Sequence, residues 1–304
     1  MKILRLLLVL LFIGTLCFGW EGKFPGWQPY DKLPGALITP HIPFANPYYK
    51  GKLKVLVIAP AWTQRETVEL AQRLSVEYTP LMTESYDFFG PYPGEGERSY
   101  YLTISKKEFE QLVNERLGDS AVYDLIIIGK IPWKVFPDNI KNQVLDKVKN
   151  GAGLLYVNPS DLPSEIQGLL KDNEPVKNRI VSGIPFKQIP LLADVSILSG
   201  EIEKGRIITI TYAGDKTSKA RGRVECLTPF EGDDPLYYDY YYSLIAKACL
   251  WAGKREPEVV FKSIPSDSPV VLRDNLTKTK ISFTVEGKTS DVNSVSIFIR
   301  DRKN

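Results

Sequence analysis

A thiol nucleophile needs a base beside it, and this chain offers three cysteines, Cys17, Cys226 and Cys249, against a single histidine, His41. The thiolate is the reactive form, and a neighbouring imidazole or cation is what creates it at neutral pH. His41 lies upstream of the first strand-like segment, far in sequence from both later cysteines. One histidine and no C-x-x-C also leave no cluster of metal ligands. Ser160 as a nucleophile would need the same base, with His41 reaching in from upstream. Ser160-Asp161 ahead of Pro163 reads more simply as a turn with a helix cap. Glu84 and Asp161 could form a carboxylate pair for glycoside chemistry. No G-x-G-x-x-G or P-loop follows a strand, and Gly94-Glu95-Gly96 sits in a long loop without a helix behind it. No nucleotide and no other cofactor is therefore expected.

The elements that would position such residues are legible from periodicity. Lys54 to Pro60 is a nearly unbroken apolar run, as in a strand buried on both faces. Residues 64–77 then carry Val68, Leu70, Ala71 and Leu74 at helical spacing, and a weaker strand is expected near Pro80 to Tyr86. Ser105 opens a second helix, to about Leu117, with a capping-box pattern ending at Glu108. Tyr123 to Gly129 is a buried strand, 137–149 an amphipathic helix, and Leu154 to Val157 the next buried strand. Strand, helix, glycine and strand at this spacing predict a right-handed βαβ crossover. Two such units predict an α/β fold: a doubly wound, mostly parallel, flavodoxin-like sheet with helices on both faces.

Residues 160–204 are less regular. Arg206 to Tyr212 is expected as a strand, as is Arg223 to Leu227. Asp234-Pro235 should start a strong helix that Gly253 stops. Five tyrosines between Tyr237 and Tyr242 surround its start, so a core role together with a partner surface is expected of them. After Pro257 the period becomes two, over Val259 to Phe261, Lys280 to Val285 and Ser294 to Ile299. This short β-rich tail, 257–304, is either a small docked sheet or part of an incomplete immunoglobulin-like sandwich.

In open parallel sheets ligands sit beyond the carboxyl ends of the strands. That rule selects Trp62, Gln64 and Arg65 after the first strand and Glu84 near the second. It selects Lys130 and Trp133 after the third, and Asn158, Ser160 and Asp161 after the fourth. Aromatic, amide and carboxylate groups together suit a sugar or another polar ligand.

The N-terminus reads as an export signal over 1–19. Lys2 and Arg5 precede the apolar run Leu6 to Ile13, and Cys17 and Gly19 suit a cut before Trp20. The run is short for a membrane span, and no second one follows. Losing Lys2 and Arg5 lowers the formal charge from +3 to +1. That balance gives no reason to expect nucleic acid or a membrane as partner. Residues 20–50 form a proline- and aromatic-rich lead-in, and 51–256 the α/β domain. In an oxidising compartment Cys226 and Cys249 could pair, or remain buried and free.

Lys54 to Ile58, Tyr123 to Gly129, Val148 to Tyr156 and Leu250 to Pro257 together resemble class I glutamine amidotransferase-like domains. The likeness is nearest to the exported, divergent branch and to trehalose-utilisation and β-galactosidase trimerisation-like domains. That family places a cysteine on a sharp strand-to-helix turn, with a histidine and a carboxylate further on. Here the turns read Lys130-Ile131-Pro132-Trp133 and Asn158-Pro159-Ser160-Asp161, so no Cys-His-Glu triad can assemble there. The resemblance then implies a domain without catalytic residues that serves as a binding or assembly module. Its expected partner is a carbohydrate or a protein, a second copy of the chain included.

Overall fold

The computed structural model describes residues 45, 51–60, 64–83, 98–99, 104–189, 191–212, 226–229, 237–256, 260–263 and 284–286. The expected export signal, nearly all of the expected lead-in, Trp62, Glu84, His41 and the expected strand Ser294 to Ile299 lie outside them.

The chain runs β1 (Leu53–Pro60), α1 (Gln64–Arg73), β2 (Val76–Thr83), β3 (Arg98–Ser99), β4 (Ile104–Ser105), α2 (Lys106–Leu117), β5 (Leu125–Gly129), α3 (Asp138–Lys149) and β6 (Gly153–Val157). It continues with α4 (Ser164–Gln167), α5 (Glu174–Val181), β7 (Ser196–Ile202), β8 (Gly205–Thr211), α6 (Tyr238–Ala252), β9 (Val260–Ser263) and β10 (Thr284–Glu286). Six strands form one sheet in the order β2-β1-β5-β6-β8-β7. All neighbours pair in parallel except β7 with β8. The sheet is therefore the doubly wound, flavodoxin-like one that the sequence predicts. β3 with β4, and β9 with β10, form two separate two-stranded sheets.

The central strands carry the apolar runs because both of their faces are covered. Every residue of β5 and β6 is buried. On one side α1, α5 and α6 pack together, with α6 lying along β6 and β8; α2 and α3 form the other helical pair. β2 lies at the sheet edge, and this is why Pro80 is tolerated within it: the missing N–H falls where no further strand needs a donor. Gly153 is required by close approach, since a Cβ there would lie 2.4 Å from the Ala252 backbone at the end of α6. The end of α6 also closes the amino-terminal edge of the sheet. Arg255 donates to Asp124 at 2.8 Å, and Asp124 in turn accepts from the Lys54 backbone at 2.9 Å.

Two expectations are corrected in detail, and two others fall largely outside the described residues. α1 ends at Arg73 and β2 begins at Val76, earlier than the sequence suggested. α6 is described from Tyr238, without a side-chain cap from its N-cap residue Tyr237, and the expected start at Asp234-Pro235 lies outside the described residues. The 160–204 region contains two short helices and the antiparallel strand β7, which sequence reading missed. Of the expected strand Arg223 to Leu227 only Cys226 and Leu227 are described, and they are bends rather than strand.

Candidate functional site: the carboxyl ends of the parallel strands

The strand order reverses between β1 and β5, and this switch point is where a doubly wound sheet opens a crevice. Here the Cys226–Thr228 segment lies across it. Glu66, in the first turn of α1 directly after β1, is only 6% exposed. Its carboxylate accepts three successive backbone N–H groups, from Cys226 at 2.7 Å and from Leu227 and Thr228 at 2.8 Å each. The Thr228 hydroxyl adds a longer contact at 3.3 Å. Consecutive backbone N–H groups converging on one anion form the kind of nest that elsewhere holds phosphate or carboxylate ligands. In this chain the anion is supplied internally.

The other wall of the crevice is β5. Cys226 Sγ lies 3.5 Å from the Gly129 carbonyl, to which its S–H donates. A Cβ on Gly129 would stand 2.8 Å from the Cys226 Cβ, so glycine at the end of β5 is what lets the segment settle. Beneath it, the Tyr212 hydroxyl donates to the Leu227 carbonyl at 3.0 Å. Burial, and then the Glu66 charge, push the hydroxyls of Tyr212 and Tyr242 well above the ordinary tyrosine range. Both remain neutral hydrogen-bonding groups at any physiological pH.

One strand along, two non-glycine residues adopt left-handed backbone. Lys130 follows β5 with φ 49°, and Asn158 follows β6 with φ 48°. The turns are neighbours, since Gly129 pairs with Val157 and the Lys130 N–H donates to the Val157 carbonyl at 2.9 Å. Asn158 is 5% exposed. Its Oδ1 accepts the Tyr212 N–H at 3.0 Å, and its own N–H donates to Ile210 at 2.7 Å. Its Nδ2 has no hydrogen-bond partner.

The remaining predicted site residues divide clearly. Asp161 accepts the N–H groups of Trp133 and Lys134 at 2.7 and 2.8 Å, and the Ser160 hydroxyl lies 3.2 Å away. It organises the short 3-10 turn over 133–135 rather than standing open. Trp133 is 6% exposed and stacks on Phe136 at 5.2 Å, so its ring faces a neighbour in the core. The structure thus corrects the idea of Trp133 as an open platform for a ligand. Arg65 is half-exposed and pairs with Glu69 along α1. Gln64 is the first residue of α1. Trp62 and Glu84 lie outside the described residues, so the Glu84–Asp161 pair has no geometry. Lys130 and Asn158 are the two predicted residues that the fold brings together beside a donor without an acceptor.

Sequence reading missed Glu66 altogether. It sits among Arg65 and Glu69 in a charged helix, and its one distinguishing trait is contact with a segment 160 residues later. No disulfide joins Cys226 and Cys249, and both are buried. Burial pushes the Cys249 thiol up, away from the thiolate form. Among the described residues no group of three or more His, Cys, Asp or Glu side chains is arranged to hold a metal. No described helix is long and apolar enough to cross a membrane. Compared with known proteins, the chain matches no protein-family model, no curated protein and no solved structure.

Proposed function

We propose that this chain is an exported, amidotransferase-like α/β domain that works as a binding or assembly module. It would hold a carbohydrate-related ligand or a partner at the carboxyl ends of its parallel strands without turning it over. One arrangement carries this reading: Glu66 holds the Cys226–Thr228 segment across the β1–β5 crevice. A reactive centre needs that crevice open to substrate, and here its polar groups satisfy one another. The Cys226 thiol is spent on a backbone carbonyl, and Cys249 lies in the buried face of α6. The left-handed turns, where a strained nucleophile would gain exposure, carry Lys130 and Asn158.

Two neighbouring readings gain less support. A glycoside hydrolase would use Asp161, whose oxygens are occupied by backbone donors. An assembly surface built on the tyrosine run would need exposed rings. Tyr238, Tyr241 and Tyr242 are instead buried, Tyr237 and Tyr240 are half-buried, and the exposed large apolar side chains among the described residues are Val122 and Leu169.

The test is a melting-temperature screen of residues 20–304 against mono- and oligosaccharides, glutamine and nucleotides, with product analysis of each mixture. A saccharide at a hundred times its dissociation constant should stabilise the fold by about 2.7 kcal/mol without being cleaved. Ammonia released from glutamine, or a cleaved glycoside, would overturn the proposal.

A further inference from the structure

The Glu66 carboxylate does inside this chain what a bound anion does at a helix start. Glu66 lies in the first turn of α1, directly after the carboxyl end of β1 at the switch point, where the helix dipole and the sheet both favour an anionic ligand. Its two oxygens share three consecutive backbone donors: Oε2 takes the Cys226 N–H, and Oε1 takes those of Leu227 and Thr228. The donors come from a segment 160 residues away, so they answer a charge at that place and do not close a local turn. All three residues are buried, and buried N–H groups need an acceptor. The segment is also held by contacts that do not involve Glu66. Tyr212 donates to the Leu227 carbonyl at 3.0 Å, and the Cys226 S–H points to the Gly129 carbonyl at 3.5 Å. The three donors are thus held in place from two further sides.

We infer that the Cys226–Thr228 segment is a binding nest for a small carboxylate, and that Glu66 occupies it as the chain's own ligand. The inference shares the Glu66 contact with the reading above but needs no ligand at the turns after β5 and β6. The ligand class follows from the atoms. Glu66→Ala removes one methylene and one carboxylate beyond the β-carbon, which is the outline of acetate. Hydrogen bonds from N–H groups to a carboxylate are the stronger kind, so an acetate entering that space regains what the variant loses. Tethering gives the Glu66 carboxylate a high effective concentration, and this keeps the intact nest closed to carboxylates from solution.

The experiment measures thiol labelling of Cys226, mapped by mass spectrometry, and melting temperature for the wild-type chain, Glu66→Ala and Glu66→Gln. Each protein is studied at neutral pH in sodium chloride, acetate and propionate at matched ionic strength. In chloride we expect Cys226 of Glu66→Ala to label about tenfold faster than wild type, or more. Acetate should reverse this saturably, slowing the labelling by about tenfold and raising the melting temperature. Propionate, one methylene longer, should need about tenfold more to do the same. Wild type and Glu66→Gln, whose side chains fill the space, should respond to acetate no more than to chloride. Glu66→Ala that folds in acetate but not in chloride would also support the nest, and Glu66→Ala that stays unfolded in both overturns it. An acetate effect equal in all three proteins is a bulk salt effect and overturns the inference. Labelling of Glu66→Ala that acetate leaves unchanged overturns it too. Each of these failures leaves the proposed binding module standing, because that module is tested with saccharides on the wild-type chain.

Discussion

Glu66 shows how one side chain can decide what a crevice is for. Its carboxylate replaces water around three buried N–H groups, and each of those donors would be costly if left bare. Glu66→Ala should therefore destabilise the fold by about 3 kcal/mol, measured by urea unfolding. It should also loosen the segment locally. Cys226, fully buried in the native chain, should then react with a thiol reagent much faster than in the wild type. Equal stability and equal labelling would show that the segment is held by packing alone. None of this was visible in the sequence, because a carboxylate flanked by charges on a helix reads as solvated surface. Asn158, in contrast, was legible as a strand-end residue, since the apolar run of β6 stops directly before it. Its orphan donor was not legible, because the missing partner is a property of three-dimensional surroundings.

At the scale of elements, the buried polar contacts fasten helices to one another. Arg73, on α1, is 1% exposed and meets Glu69 at 2.6 Å and Asp239 of α6 at 2.9 Å. Its guanidinium also lies over the rings of Tyr238 and Tyr242, at 5.5 and 4.8 Å. Tyr238 and Tyr242 thus line a cation and the core, which is the core role expected of the run. Lys247, on the same helix, donates to the carbonyl and hydroxyl of Ser182 at the end of α5. Desolvation lowers its pKa from 10.5 to about 8. Between those two values the unfolded chain binds a proton that the folded chain does not, so this group makes stability rise with pH across that window. Below pH 8 both states are protonated and the penalty on the folded state is complete. The stability difference between wild type and Lys247→Met should therefore shift in favour of wild type from about pH 8 to 10.5. A pH-independent difference, measured by chemical denaturation, would show that the ammonium is solvated. Comparing with the variant removes the opposing effect of Tyr212 and Tyr242, whose raised pKa values make stability fall as pH climbs further.

The whole molecule follows from its hydrophobic pattern more than from any motif. Continuous apolar runs could only be strands covered on both faces, so β1, β5 and β6 and their parallel order were readable in advance. The antiparallel edge strand β7 was not, since its exposed and buried positions alternate weakly through Gly200 and Glu201. Nor was the placement of the Cys226–Thr228 segment, which Glu66 holds through three backbone N–H groups. The segment Leu250 to Glu256 is explained physically. It ends α6, lets Arg255 reach Asp124 at 2.8 Å and places Glu256 on Arg206 at 2.6 Å, closing the edge of the sheet opposite the crevice. Clamps thus fasten both ends of the strands, Arg255 and Arg206 at the amino ends and Glu66 and Asp161 at the carboxyl ends, where the Asn158 amide is left without an acceptor. The β1–β5 crevice is closed from within by Glu66 and the Cys226–Thr228 segment, so the proposed binding would fall at the turns after β5 and β6. Hydrogen–deuterium exchange of the chain, with and without the probe that raises its melting temperature most, tests it directly. Added protection is expected at 130–134 and 158–161, with 226–228 unchanged. Faster exchange at 226–228 on ligand addition, with protection appearing at the start of α1, would contradict it by showing that the segment is a displaceable cover over the true site.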